Sequence, residues 1–145
     1  MKYFVASDHA AIEAKSFTVA LLKERGIDVV DLGPFDENRV DYPDYAAKVV
    51  HHVLEDLDTH KGILICGSGI GMSIAANRFD GIRAALCHDY YTANICRAHN
   101  DANILCFGAR IVGLGVIESI VDGWLTGTFE GGRHTCRVEK LGAMR

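Results

Sequence analysis

Short apolar runs alternate along this chain with longer stretches in which apolar residues recur every three or four positions. Residues 3–7 read as a buried strand, and residues 11–25 as a helix carrying Ile12, Phe17, Ala20, Leu21 and Leu22 at roughly helical spacing. Gly26 ends that helix as a C′ glycine would. Residues 27–32 are strand-like until Gly33-Pro34 breaks them. A second helix opens at Tyr42-Pro43-Asp44, where the missing proline N–H costs nothing. Residues 63–66 form another buried strand, closed by Gly67-Ser68-Gly69-Ile70-Gly71 and a helix to about Asn77. Residues 82–87 and 104–107 read as strands, residues 90–99 and 114–125 as helices, and residues 133–141 as a short final helix.

Strands that are apolar throughout, alternating with helices, predict a parallel sheet covered on both faces. The expected fold is therefore α/β: a single Rossmann-like doubly wound domain over residues 1–145, five parallel strands flanked by helices, with a helical tail. With two prolines, no repeat and no low-complexity stretch, nothing suggests a linker or a second domain. A sheet of this kind carries its site at the carboxyl ends of the strands. The residues expected there are Asp8-His9, Cys66-Gly67-Ser68-Gly69, His88-Asp89 and Gly108-Ala109-Arg110.

Composition narrows the partners. The chain is 49% apolar and 23% charged, the balance of an ordinary soluble globule, and its net charge is −4. Nucleic acids and anionic membranes want a basic surface, so neither is an expected partner. Any anion must be held by a few local cations. The first residues are too briefly apolar for a secretory leader, and no run approaches the 18 apolar residues of a membrane span. Five cysteines without a C-x-x-C pair fit neither a disulfide framework nor a zinc ribbon, and reduced thiols in the cytoplasm are the simplest reading. No set of histidines and acids has metal spacing along the chain, and no cofactor is expected.

The Cys66 loop is the most informative segment. Three glycines in five residues let the backbone turn tightly and aim N–H groups at an anion, and a thiol at such a mouth can act as a base or nucleophile. The same residues also fit a buried strand end followed by a simple turn. A dinucleotide fingerprint is poorly matched, because Gly67-x-Gly69 is followed by Met72 and the loop follows the third strand. A cysteine-phosphatase loop would need an arginine where Met72 stands. Asp8 also fits a plain helix cap. Arg133, Arg137 and Lys140 share one helical face, and the arginines beside Gly131-Gly132 suit either solvent or a phosphate.

Taken together, Ser7-Asp8-His9, Asp41-Tyr42-Pro43, the run from Ile65 through Cys66 to Gly71, Ser73-Ile74-Ala75-Ala76-Asn77, Arg97-Ala98-His99-Asn100-Asp101 and Gly131-Gly132-Arg133-His134 resemble the ribose-5-phosphate isomerase B family. The matching blocks run in order over nearly the whole chain. The resemblance implies an aldose–ketose isomerase of ribose 5-phosphate and ribulose 5-phosphate, with Cys66 as the base. It also implies that the amides of Gly67, Gly69, Ile70 and Gly71 and the Ser68 hydroxyl hold the enediolate oxygen. His99 resembles the residue that opens the sugar ring, with Asp8 and Asp41 assisting or holding hydroxyls. Tyr42 resembles the wall of the sugar pocket and Asn100 a hydroxyl partner, while His9, Arg110, Arg133 and Arg137 resemble the phosphate grip. In that family the site is shared between two subunits, which implies a homodimer and allows a tetramer. Ser7 stands where some relatives carry Cys, and Ser68 where Thr is frequent. Some relatives use a nearby glutamate instead of the loop cysteine. A six-carbon sugar phosphate, allose 6-phosphate or galactose 6-phosphate, is the alternative substrate, and a non-catalytic sugar-phosphate sensor the alternative class.

Overall fold

The computed structural model describes residues 1–144. Its strands are β1 (Lys2–Ser7), β2 (Asp28–Asp31), β3 (His60–Cys66), β4 (Ala84–Leu86) and β5 (Ile104–Gly108). Its helices are α1 (Ile12–Glu24), α2 (Tyr42–Glu55), α3 (Ile70–Ala76), α4 (Tyr90–Asn100), α5 (Leu114–Thr126) and α6 (Arg133–Ala143), and a 3-10 turn at His9–Ala11 leads into α1. All strand pairings are parallel, in the order β2-β1-β3-β5-β4. The expected five-stranded doubly wound sheet is thus present, with β5 inserted between β3 and β4.

Alternate residues of each strand face opposite layers. Tyr3, Val5, Ile63, Ile65, Leu105 and Phe107 join one core with residues of α1, α4 and α5. Phe4, Ala6, Leu64, Cys66, Ile104 and Cys106 join the other with α2 and α3. Both faces are apolar because both are covered, which explains why the strands read as unbroken apolar runs. In the first core the Trp124 indole N–H donates to the Tyr3 hydroxyl at 3.0 Å, so two buried polar groups satisfy each other. In the second, a Cβ on Gly62 would come within 2.5 Å of Val49, so glycine lets α2 pack closely on β3.

Local signals explain the ends. Gly26 has φ +74°; its N–H meets the Lys23 carbonyl and that of Ile27 the Leu22 carbonyl, a Schellman stop for α1. Asp89 caps α4, its carboxylate accepting the Thr92 N–H at 2.7 Å. At β4 the expected strand over residues 82–87 is trimmed to Ala84–Leu86. β2 and β4 are the sheet's edges, so each has one bonded neighbour.

The chain leaves β1 through α1 to β2 on one side and returns through α2 to β3 on the other. The reversal opens a crevice beyond the carboxyl ends of β1 and β3.

Candidate active site

Two groups of the expected site residues emerge, at opposite ends of the sheet. The first lies in the crevice. Cys66 ends β3, packs into the α2–α3 core and is only 5% exposed, and the Gly69 N–H points at its sulfur from 3.1 Å. Gly69 has φ +76°, and a Cβ there would meet the Phe107 backbone at 2.7 Å. Both the dihedral angle and the close approach to β5 require glycine. Ser68 accepts the Ile70 N–H on its hydroxyl oxygen at 3.2 Å, which leaves the hydroxyl proton free to donate outward. The Ala109 and Arg110 amides bond the Cys66 and Gly67 carbonyls at 2.9 and 3.0 Å, so the two loops hold each other.

Asp8, Tyr42, Ser68, Arg110 and Ile111 surround Cys66 in a cleft of about 560 Å³. Arg110 extends over Gly67, where a Cβ would approach its Nη1 to 3.3 Å. Asp8 caps the turn into α1, accepting the Ala10 N–H at 3.0 Å, so the capping reading holds while the residue also lines the cleft. Next to it, His9, Arg39, Asp41 and Tyr42 line a hollow of about 530 Å³ that shares Asp8 and Tyr42 with the cleft. His9 accepts the Val40 N–H on Nδ1 at 3.2 Å, which makes Nε2 the proton-bearing nitrogen of the neutral ring. Asp41 precedes α2 without a side-chain capping bond, so its exposed carboxylate is available.

The second group lies at the amino end of β5. His99 stands in the last turn of α4, followed by exposed Asn100 and by Asp101 at φ +48°. The His99 ring stacks on that of His134 with centroids 4.1 Å apart and planes 17° from parallel. The Glu130 Oε1 lies 3.7 Å from Nε2 of each. The Glu130 N–H is tied to the Ala98 carbonyl at 3.0 Å, which fixes the approach of α6 to α4. Arg133 and Arg137 are exposed on the first turns of α6. Burial pushes the His134 pKa down, and neighbouring His99 and Arg133 push it the same way.

Cys66 pairs with Gly108 at the carboxyl end of β5, whereas His99 lies just ahead of Ile104 at the amino end. At about 3.3 Å per residue, β5 alone separates them by roughly 13 Å. Sequence reasoning assigned no role to Glu130 or His134. Their i, i+4 spacing was visible, but not their convergence on His99. Of the other cysteines, Cys106 lies fully buried, which raises its pKa well above that of a free thiol. Among the described residues no helix is long and apolar enough to cross a membrane.

A thiol seated in a glycine loop at the switch point of a doubly wound sheet, beside carboxylates and an arginine, defines an α/β protein with a candidate small-molecule site. The sequence profile of the Ribose/Galactose Isomerase family matches residues 3–141, and the chain belongs to that family. Ribose-5-phosphate isomerase B of Escherichia coli strain K12 is 49% identical over 137 residues, 94% of this chain and 91% of that protein. The solved ribose-5-phosphate isomerase B of Clostridium thermocellum superposes with a TM-score of 0.94 at 48% identity, covering 99% of this chain and 96% of that one. The Mycoplasma genitalium ribose-5-phosphate isomerase B with bound ribulose-5-phosphate gives 0.95 at 41% identity, covering 98% and 94%.

Proposed function

We propose that this chain interconverts ribose 5-phosphate and ribulose 5-phosphate, with Cys66 as the base and His99 of a second copy opening the ring. The observation that carries this reading is the Cys66 sulfur at the switch-point cleft, met by the Gly69 N–H, in a chain close to relatives named for that reaction. The Cys66 thiolate takes the C2 proton of the open aldose, and the electron pair left behind forms the C1–C2 double bond of an enediolate. The thiol then returns the proton to C1, while the hydroxyl proton passes from O2 to O1. A thiol ionises nearer neutrality than a hydroxyl, which suits it to this shuttle. The Ser68 hydroxyl and the amides of Gly67 and Gly71 hold the negative oxygen, joined by those of Gly69 and Ile70 as the substrate takes over their bonds to the Cys66 sulfur and the Ser68 hydroxyl. Donors of this kind are worth about 3–4 kcal/mol each in the transition state. The steps require no metal or redox cofactor.

Ring opening needs a proton on the ring oxygen and removal of one from the anomeric hydroxyl. His99 supplies the first, and Asp8 or Asp41 receives the second. Because β5 lies between Cys66 and His99 of the same chain, the reading requires a homodimer in which each copy completes the other's cleft. His9 and Arg110 then grip the phosphate with Arg133 and Arg137 of the other copy, a cationic set in a chain of net charge −4. Tyr42 walls the sugar, and Asn100 of the other copy meets a hydroxyl. The five free thiols fit the cytoplasm, a reducing compartment.

The test is steady-state conversion of ribose 5-phosphate beside the same assay on allose 6-phosphate and galactose 6-phosphate, without added metal. Turnover of the five-carbon sugar that vanishes in Cys66→Ala supports both reaction and base. The family description also names galactose, so activity on a six-carbon substrate alone would keep the mechanism and change the substrate. Binding without turnover would leave a sensor.

A further inference from the structure

His99, Glu130 and His134 offer two imidazole nitrogens and a carboxylate oxygen that all lie within 4.8 Å of one another. His134 is 5% exposed, and its Nε2 is a buried polar atom with no hydrogen-bond partner. An unpartnered buried atom of this kind is destabilising, so its orientation calls for a ligand. We propose that His99, Glu130 and His134 bind a divalent transition-metal ion, with zinc as the reference ion, through the two Nε2 atoms and Glu130 Oε1, leaving a fourth position open.

Two imidazoles and one carboxylate are a donor set that zinc accepts, and three protein ligands with an open position are typical of exchangeable or catalytic sites. Tetrahedral bonds of about 2.0–2.1 Å place ligand atoms roughly 3.3–3.5 Å apart. The two 3.7 Å separations to Oε1 need to close by only a few tenths of an ångström. The stacked rings direct their lone pairs side by side, so one ring must turn. His99 has that freedom, its side chain being 33% exposed, while His134 is held by burial. Glu130 is 55% exposed at its side chain and can reorient towards an ion. Arg133 and Arg137 lie close by and oppose a cation, so the site favours reversible occupancy over permanent loading.

Occupancy would take the His99 Nε2 lone pair away from ring chemistry, making the ion a reversible inhibitor. That consequence rests on the isomerase reading; the binding itself does not. Chelator-treated full-length protein is titrated with zinc chloride under equilibrium dialysis, and separately with cobalt(II) followed by visible absorption. One zinc per chain is expected, with cobalt ligand-field bands and no thiolate-to-cobalt charge transfer. Affinity should fall at least tenfold in Glu130→Gln and in His134→Gln, and persist in Cys66→Ala. The exposed Glu130 keeps the test valid if His134→Gln fails to fold. Absence of binding, binding that survives Glu130→Gln, or binding lost in Cys66→Ala would each overturn the proposal. Inhibition of ribose 5-phosphate turnover by zinc, reversed by chelator, is a separate readout: turnover unaffected with zinc bound would remove the ring-opening role of His99 and leave the metal site standing.

Discussion

The Tyr42 ring occupies the space that a side chain on Gly71 would fill: a Cβ there would lie 2.6 Å from the ring. Tyr42 begins α2 and Gly71 sits in the first turn of α3, so this one glycine lets the ring close the side of the Cys66 cleft. Gly71 is helical and Tyr42 is partly exposed, so in Gly71→Ala the ring swings outward without unfolding the chain. The melting temperature should change little, while KM for the sugar phosphate rises about tenfold with a smaller effect on kcat. Steady-state kinetics beside a thermal melt checks this. A large loss of stability with unchanged KM would show the contact to be packing alone.

Gly69→Ala should behave differently. Its φ of +76° strains any side chain, and the Cβ would strike the Phe107 backbone, which cannot step aside as an exposed ring can. A destabilisation of about 2 kcal/mol or more is expected, roughly 4–8 °C in melting temperature. Because the Gly69 N–H also meets the Cys66 sulfur, turnover should fall even at temperatures where the chain is folded. Measuring kcat well below the melting transition separates the two effects.

The strands and helices were legible because each layer imposes its own period. Val5, Leu64 and Phe107 are apolar on either face since helices cover both, and Gly26 and Pro43 mark helix ends through backbone geometry. The position of β5 between β3 and β4 was not legible, because strand order is decided by packing among distant segments, not by any local pattern. Asp8, Cys66 and Arg110 could be placed from the rule that strand ends carry the site. His99, Arg133 and Arg137 follow no such rule, lying at the far end of the sheet; the arginines' shared helical face left solvent and phosphate equally open, and the role of His99 entered only through the family resemblance. The meeting of Glu130 and His134 with His99 depends on how α6 docks on α4, which spacing along the chain does not encode.

His134 sets a pH prediction. Its pKa in the folded chain is lowered below the ordinary 6.5, first by burial and then by His99 and Arg133, with Arg137 acting the same way and Glu130 opposing them. The unfolded chain therefore binds the proton more readily, and the stability associated with neutral His134 is present above about pH 6.5 and lost as the pH falls towards the depressed folded value. Thermal melts between pH 7.5 and pH 5.5 should show a decline in the wild-type chain that is shallower in His134→Gln. Equal slopes in the two proteins would remove His134 as a source of that dependence.

The separation of Cys66 from His99 by the length of β5 makes the shared cleft testable by mixing. On the proposed mechanism every cleft of Cys66→Ala lacks its base and every cleft of His99→Asn its ring-opening acid, so each variant should turn over ring-closed substrate at least a hundredfold more slowly. When the two variants are co-expressed or refolded together, about half the dimers contain one chain of each kind. In such a dimer one cleft lacks both groups, while the other joins intact Cys66 from one chain to intact His99 from the other. Activity should then recover to about a quarter of wild type, since half the dimers carry one working cleft of two. Isolating the mixed dimer through two different affinity tags should raise that to about a half per chain pair. A site complete within one chain predicts no recovery at any mixing ratio, because every chain then lacks one of the two groups.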